Sequence, residues 1–123
     1  MSSLTITIRE VSAGPVLAIA GDLDFDTAAQ LRDELARIVL VPGRRLVLDL
    51  AGLTFCDSSG IAAFIAARNH AHAARADIAL ATVPDHTLRI LRVVGLDQVF
   101  AFQRDASADP APPPGGPCAA TGA

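Results

Sequence analysis

Hydrophobic and polar residues follow two different periods along this chain, and the change of period marks its elements. Residues 46–50 form an apolar run that fits a strand buried on both faces. Ile61, Phe64 and Ile65 then recur at helical spacing, after the polar segment 57–60 (DSSG). The pattern therefore predicts a strand at residues 45–50, a polar junction and a helix, in that order.

The N-terminal third of the chain predicts a hairpin and then a helix. Residues 5–7 and 16–20 read as strands on either side of a Gly14-Pro15 turn. We expect Asp26 or Thr27 to cap the helix, with residues 27–30 forming a capping box. The apolar stripe of this helix ends before Pro42-Gly43 and consists of Leu31, Leu35, Ile38 and Val39.

The remaining segments continue the alternation of helices and strands. The central helix is expected to end near residue 74, and residues 78–82 predict another strand. Pro84-Asp85 opens a last helix that ends at Gly95, with an apolar stripe of Leu88, Leu91 and Val94. Such alternation predicts an α/β fold with a mixed, mainly parallel sheet and helices packed on it.

Domain organisation follows from a change in composition near the C-terminus. Residues 1–103 carry all the predicted elements and are expected to form a single domain. Residues 104–123 are rich in proline and glycine and hold no aliphatic side chain larger than alanine. Such a segment cannot repay the entropy of ordering, so we expect a disordered tail.

The polar junction carries the chemistry. Ser58 and Ser59 are expected at a helix start, where backbone N–H groups lack partners and the macrodipole is positive, so a phosphate added there would find donors. Asp57 acts in the opposite direction, because a phosphoserine beside it makes a strongly anionic patch. The simpler alternative is that one serine only caps the helix and Asp57 is a turn residue.

Three segments resemble one protein family. The DSSGI segment at 57–61, following a strand, resembles the signature of STAS domains, in particular the bacterial anti-sigma factor antagonists. AGDLD at 20–24, followed by Thr27-Ala28, and LRVVGLD at 91–97, followed by Phe100, resemble the same family in the same order. The resemblance spans about residues 4–102 and implies the STAS fold.

The resemblance also implies a site. It implies that Ser58 is phosphorylated by a partner kinase and that Ser59 caps the helix. It further implies that the motif and the Gly-Asp-Leu-Asp loop form a kinase-facing surface, whose residues are Asp22, Asp24, Thr27, Asp57, Ser58, Ser59 and Gly60. We expect Asp22 and Asp24 to be exposed acids that affect binding more than stability.

The implied function is a partner switch without catalysis or cofactors. The unphosphorylated chain would bind a serine-kinase anti-sigma factor and free the sigma factor. The kinase would phosphorylate Ser58 with its own ATP and eject the chain, and a PP2C-type phosphatase would reset it. Two alternatives stay open: an unphosphorylated STAS scaffold, including one associated with a lipid transporter, and a sensor of small ligands or nucleotides at the mouth of the motif helix.

Composition narrows the remaining classes. The chain has 123 residues, 51% of them hydrophobic, which suffices for one core. Its net charge is −3 and its ten basic residues are all arginines, with only Arg44-Arg45 adjacent, so direct nucleic-acid binding is not expected. Apolar runs are too short for a membrane span, and we expect a cytoplasmic protein. Cys56 is expected in the core and Cys118 in the tail, which suits a reducing compartment.

The sequence does not support a metal site, a hydrolase site or a nucleotide-binding site. Four acids, at positions 22, 24, 26 and 33, have the spacing of a calcium loop, but Thr27 stands where the loop needs glycine and position 33 holds Asp where it needs Glu. His70 and His72 point in different directions on a helix, so we expect no metal. G-x-S-x-G, G-x-G-x-x-G and P-loop motifs are absent from the sequence.

Overall fold

A computed structural model describes residues 4–103, and these form six strands and three helices. The strands are β1 (Leu4–Val11), β2 (Gly14–Leu23), β3 (Arg45–Asp49), β4 (Leu53–Cys56), β5 (Asp77–Ala81) and β6 (Ala101–Gln103). The helices are α1 (Phe25–Arg37), α2 (Ser58–Ala73) and α3 (Asp85–Val93), followed by a short 3-10 turn at Leu96–Gln98. The predicted tail, residues 104–123, lies outside the described residues.

The six strands form one mixed sheet, as predicted. Its order is β1-β2-β3-β5-β6, and only β1 pairs antiparallel with its neighbour. β2 pairs with β3 through its first half and with β4 through its last residues, so β4 extends the sheet beyond the end of β3. The α/β class and the mainly parallel pairing are therefore confirmed.

The main core lies between one face of the sheet and the helices. In β3 and β5, alternate residues point into it, as the two-residue period of a strand requires. The helices contribute Leu31 and Leu35 from α1, Ile61 and Phe64 from α2, and Leu91 from α3. The strands contribute fully buried side chains that include Leu17, Ile19, Leu23, Leu46, Leu48 and Leu80.

The opening hairpin turns earlier than the sequence predicted. Gly14 and Pro15 belong to β2, where they pair with Val11 and Glu10 of β1, so the turn falls on Ser12 and Ala13. Gly14 has φ +151°, and a Cβ there would lie 2.1 Å from the carbonyl oxygen of Arg45. The glycine therefore serves close packing of β2 against β3 and not the turn.

The ends of α1 and α3 also differ from the prediction. α1 ends at Arg37, Ile38 is extended, and Val39 is 87% exposed, so the stripe continues through Ile38 only as a partly buried contact. In α3 the buried residues are Thr87 and Leu91, while Val94 is 55% exposed. Both errors arise because valines next to a helix end fit the helical period without being part of the helix.

Two strands were missed. The predicted strand at 45–50 is β3, but the chain then turns at Ala51-Gly52 and runs as β4 to Cys56 before the helix begins. β6 follows the 3-10 turn near the end of the domain. Both strands have at most four residues, so neither shows a clear alternation. The predicted strand at 78–82 is β5, which ends at Ala81.

Candidate functional site

Two strand-to-helix junctions lie side by side and form the candidate site. β2 leads into α1 through Asp24, and β4 leads into α2 through Asp57. The last residues of the two strands, Leu23 and Cys56, are parallel partners, and the N–H of Asp57 donates to the Leu23 carbonyl at 3.2 Å. Adjacent parallel strands therefore bring two aspartates and two helix starts together at one end of the sheet.

Asp24 caps α1, which corrects two predictions. Its Oδ1 accepts from the N–H groups of Asp26 and Thr27, both at 3.0 Å. In return, the Thr27 hydroxyl accepts from the N–H of Asp24 at 2.9 Å and donates to the Asp22 carbonyl at 2.8 Å. The capping box thus runs from Asp24 to Thr27 and does not occupy residues 27–30.

This cap changes the role expected for Asp24 and Thr27. Hydrogen bonding to the Thr27 N–H, opposed in part by burial, lowers the pKa of Asp24 below its ordinary value of 3.8. Thr27 is only 4% exposed. Asp24 is therefore a structural residue as well as a surface acid, and the side chain of Thr27 shapes the site from beneath rather than facing a partner.

Asp57 caps α2, a role the sequence had given to Ser59. The Asp57 Oδ1 accepts from the N–H of Ser59 at 2.8 Å and from that of Gly60 at 3.3 Å. The Asp57 carbonyl accepts from the N–H of Ile61 at 3.1 Å. Two of the donors that were expected to be available to a phosphate on Ser58, the N–H groups of Ser59 and Gly60, are thus engaged by Asp57 in this structure.

The two serines of the motif differ in accessibility. Ser58 is the first residue of α2 and is exposed, whereas Ser59 is half-buried. Within residues 4–103 the Ser58 hydroxyl makes no hydrogen bond. Its oxygen can therefore be approached from solvent without breaking a contact of the described domain.

Gly60 holds α2 close to the sheet. A Cβ at this position would lie 2.6 Å from Sγ of Cys56 and 2.9 Å from Cδ2 of Leu23, well inside van der Waals contact. Cys56 is buried as predicted, and burial raises the pKa of its thiol to about 12, with a further contribution from the charge of Asp57. The motif glycine is thus required by packing and is itself buried.

Asp22 lies in a strand and not in a loop. It is in β2, half-buried, and faces Phe55 of β4 next to a shift in strand register. Its Oδ1 accepts from the hydroxyl of Thr54 at 2.9 Å. The predicted Gly-Asp-Leu-Asp loop is therefore the end of β2 plus the cap of α1.

The seven predicted site residues all come together at these two junctions, but only some face solvent. Thr27 and Gly60 are buried, Asp22, Asp24, Asp57 and Ser59 are partly covered, and Ser58 is exposed. Sequence reasoning missed Phe25, the first residue of α1, whose side chain is 80% exposed. The signal was present, since a phenylalanine between two aspartates lies outside the stripe formed by Leu31 and Leu35.

Other candidate chemistry lies elsewhere or is not assembled. Residues 4–103 contain no group of three or more His, Cys, Asp and Glu side chains placed to hold a metal. The Nε2 of His70 lies 2.8 Å from the Ile38 carbonyl, which ties α2 to the end of α1. In the same part of the chain, no helix is both long and apolar enough to cross a membrane.

A cavity of about 590 Å³ lies beside α3 and β6. It is lined by Thr82, Val83, Leu88, Arg92, Asp97, Phe102 and Gln103. These residues come from β6, α3 and their connections, and none belongs to the start of α1 or α2. The ligand pocket considered for the mouth of the motif helix is thus not where this cavity lies.

A known protein family matches nearly the whole of the described domain. The family model described as "Mlab, STAS domain" matches residues 6–102. A STAS-domain containing protein of Pseudomonas aeruginosa is 33% identical over 84 residues, which are 68% of this chain and 82% of that protein. The chain therefore belongs to the STAS domain family.

Named regulators are among its relatives. The anti-sigma-F factor antagonist RsfB of Mycobacterium tuberculosis is 29% identical over 98 residues, 80% of each protein. The crystal structure of an anti-sigma factor antagonist from Mycobacterium paratuberculosis superposes with a TM-score of 0.74 at 22% identity, covering 85% of this chain and 88% of that one. The second likeness establishes the fold, and the first places the chain near the anti-sigma factor antagonists.

Proposed function

We propose that this chain is an anti-sigma factor antagonist controlled by phosphorylation of Ser58. The observation that carries the proposal is the position of Ser58: an exposed hydroxyl at the first residue of α2, beside the carboxylate that caps the helix. Relatives named as antagonists support the general role. In this role the unphosphorylated chain binds a serine-kinase anti-sigma factor and releases the sigma factor.

The cap geometry explains how a phosphate would act. A phosphoserine carries about −1.5 to −2 charges at neutral pH. At Ser58 this charge would stand next to Asp57, whose carboxylate already uses the N–H groups of Ser59 and Gly60. With those two donors already bonded to Asp57, a phosphate on Ser58 would add negative charge to the surface that faces the partner. A surface fitted to a neutral hydroxyl would be repelled.

The division of labour leaves all catalysis to partners. The kinase supplies ATP and the base that removes the Ser58 proton, and the γ-phosphoryl group moves from ATP to the serine oxygen, leaving ADP. A PP2C-type phosphatase hydrolyses the phosphoserine and restores the active form. In this proposal the chain is a cytoplasmic binding protein that needs no cofactor and contacts neither nucleic acid nor membrane.

A competition assay tests the role. Purified kinase-type anti-sigma factors encoded in the source genome are each loaded with their sigma factor, and the chain is added with and without ATP. We expect it to displace sigma from at least one of them, with Ser58→Ala remaining active in ATP and Ser58→Asp losing the displacement. If no member of the panel releases sigma to the unphosphorylated chain, the proposal is wrong.

The two alternative roles give different results in the same experiments. A scaffold would bind its assembly whether or not ATP and a kinase were present, and Ser58→Asp would not weaken that binding. A ligand sensor would respond to a small molecule, which a thermal-shift screen with nucleotides and other metabolites would detect. If either result is obtained and no phosphate is transferred to Ser58, the proposed phosphorylation switch is wrong and the corresponding alternative is supported.

A further inference from the structure

Phe25 is an exposed aromatic residue at the start of the helix next to the one that begins with Ser58. It is the first residue of α1, as Ser58 is the first residue of α2, and each follows an aspartate that caps its helix. Leu23 and Cys56 are parallel partners two residues earlier in each chain segment. Helices that pack as neighbours, as α1 and α2 do, have axes about 10 Å apart. A protein that covers the Ser58 hydroxyl therefore also reaches Phe25.

The fold itself gives Phe25 no burial. Its side chain is 80% exposed, and the buried residues of α1 are Thr27, Ala28, Leu31 and Leu35. Phenylalanine is also a weaker helix former than alanine, so local propensity does not favour it there. Single exposed apolar residues are common on protein surfaces. What distinguishes Phe25 is its place beside the acceptor serine.

Phe25 lies between two acidic residues in the sequence, and a third acid lies at the neighbouring helix start. Asp24 precedes Phe25 and Asp26 follows it, while Asp57 lies at the paired junction. Within residues 22–27 and 54–60 these acids have no lysine or arginine between them. These two segments carry two exposed phenylalanines, Phe25 at 80% and Phe55 at 48%, and Phe25 is the one at a helix start. The surface thus combines an exposed aromatic side chain with a negative border, which is complementary to an apolar pocket edged by basic residues.

We propose that Phe25 is the anchor with which this chain docks into an apolar pocket on the kinase that phosphorylates Ser58. The inference rests on the proposed function and adds to it the residue that holds the substrate protein in place. Aromatic side chains are enriched among the residues that carry most of the binding energy of an interface. Docked in this way, Phe25 fixes the position of the α1 start, and the neighbouring α2 start presents Ser58 to the ATP of the kinase.

The anchor also explains how phosphorylation can release the partner. If the kinase covers both helix starts, a charge added at Ser58 falls within the surface that Phe25 anchors. Charges inside a desolvated interface weaken binding far more than charges at the edge, where water screens them. One phosphoryl group can therefore undo a contact that Phe25 holds.

The test compares Phe25→Ala with Val39→Ala. Val39 is 87% exposed and lies beyond the opposite end of α1, so its replacement removes apolar surface away from Ser58. The kinases used are those anti-sigma factors of the competition assay that phosphorylate the unaltered chain. We expect Phe25→Ala to raise the dissociation constant at least about tenfold and Val39→Ala to leave it unchanged. The thermal midpoints of both variants should match that of the unaltered chain.

Steady-state kinetics of Ser58 phosphorylation distinguish a loss of docking from a displacement of the acceptor serine. Loss of an anchor raises KM for the protein substrate and leaves kcat nearly unchanged, whereas a displaced Ser58 lowers kcat. Phe25→Leu, which keeps an apolar side chain, should recover part of the affinity. If the unaltered chain is phosphorylated on Ser58 and Phe25→Ala has the same KM and affinity, the anchor is excluded while the switch stands. If no kinase phosphorylates the unaltered chain, both the proposed switch and the proposed anchor are wrong.

Discussion

The starts of α1 and α2 use the same device with different third residues. Each helix follows a parallel strand, and each is capped by an aspartate whose Oδ1 accepts two backbone N–H groups. At α1 the third helical residue is Thr27, whose hydroxyl completes a reciprocal capping box. At α2 the third residue is Gly60, which has no side chain to return the bond.

This difference gives the two helix starts different roles: the start of α1 contributes to stability, and the start of α2 leaves a hydroxyl accessible. Thr27 locks the start of α1 through bonds to Asp24 and Asp22, which leaves Phe25 outside. Gly60 instead lets α2 approach Cys56 and Leu23, and Ser58 is left at the first position with no structural duty among the described residues. One helix start is built to hold its shape, and its neighbour to present a hydroxyl.

The largest effect is expected for Gly60→Ala. Alanine is the better helix former by about 1 kcal/mol, but its Cβ would lie 2.6 Å from Sγ of Cys56 in a close-packed core. We expect the clash to dominate, lowering the free energy of unfolding by about 1–3 kcal/mol in urea denaturation.

A double variant checks the cause of that loss. Cys56→Ala removes the Sγ atom that the new methyl group would meet. The combined Gly60→Ala, Cys56→Ala protein should therefore lose less stability than the sum of the two single variants. Strict additivity, or a Gly60→Ala protein more stable than the unaltered chain, would show that close approach to Cys56 does not explain this glycine.

A smaller effect should distinguish the two caps. Asp24→Ala breaks a capping box and Asp57→Ala breaks a simple cap, so the first should lower the thermal midpoint by about 5 °C and the second by less. Asp24→Asn keeps an acceptor and should remain near the unaltered midpoint. Equal losses at both positions would show that the bonds of Thr27 add nothing to the start of α1.

The smallest effect is expected in acid. The pKa of Asp24 lies below 3.8 because the Thr27 N–H binds its charged form. Its charge therefore contributes to stability at neutral pH, and that contribution is lost as the pH falls through the lowered pKa. A carboxyl-carbon NMR titration should place Asp24 below 3.8. The stability difference between the unaltered chain and Asp24→Ala should shrink as the pH falls through the lowered pKa, and a normal pKa would contradict the cap.

The sequence predicted the longer strands and helices of this domain better than the connections between strands and helices. The buried runs of β3 and β5 and the stripes of α1 and α2 gave the α/β class because burial imposes a period that is visible in the chain. β4 escaped because Thr54 and Phe55, its two central residues, are exposed. Without β4, the proximity of Asp22 to Thr54 could not be predicted.

Caps could not be assigned because the sequence offered several equivalent candidates. Asp22, Asp24 and Asp26 alternate along one segment, and any of them could cap a helix. The choice depends on where β2 ends, which is set by its pairing with β4. Asp57 and Ser59 presented the same ambiguity. Ser58 was chosen from the family resemblance, and its exposure is a property of the fold that composition does not reveal.

Mapping the phosphate decides whether Ser58 is the acceptor. The unaltered chain is incubated with ATP and each purified kinase-type anti-sigma factor, and the product is digested and sequenced by mass spectrometry, with Ser58→Ala and Ser59→Ala as matched variants. We expect phosphate on Ser58 alone, no transfer to Ser58→Ala, and undiminished transfer to Ser59→Ala. Phosphate on Ser59 or on a residue outside this junction would contradict this expectation, as would transfer to Ser58→Ala.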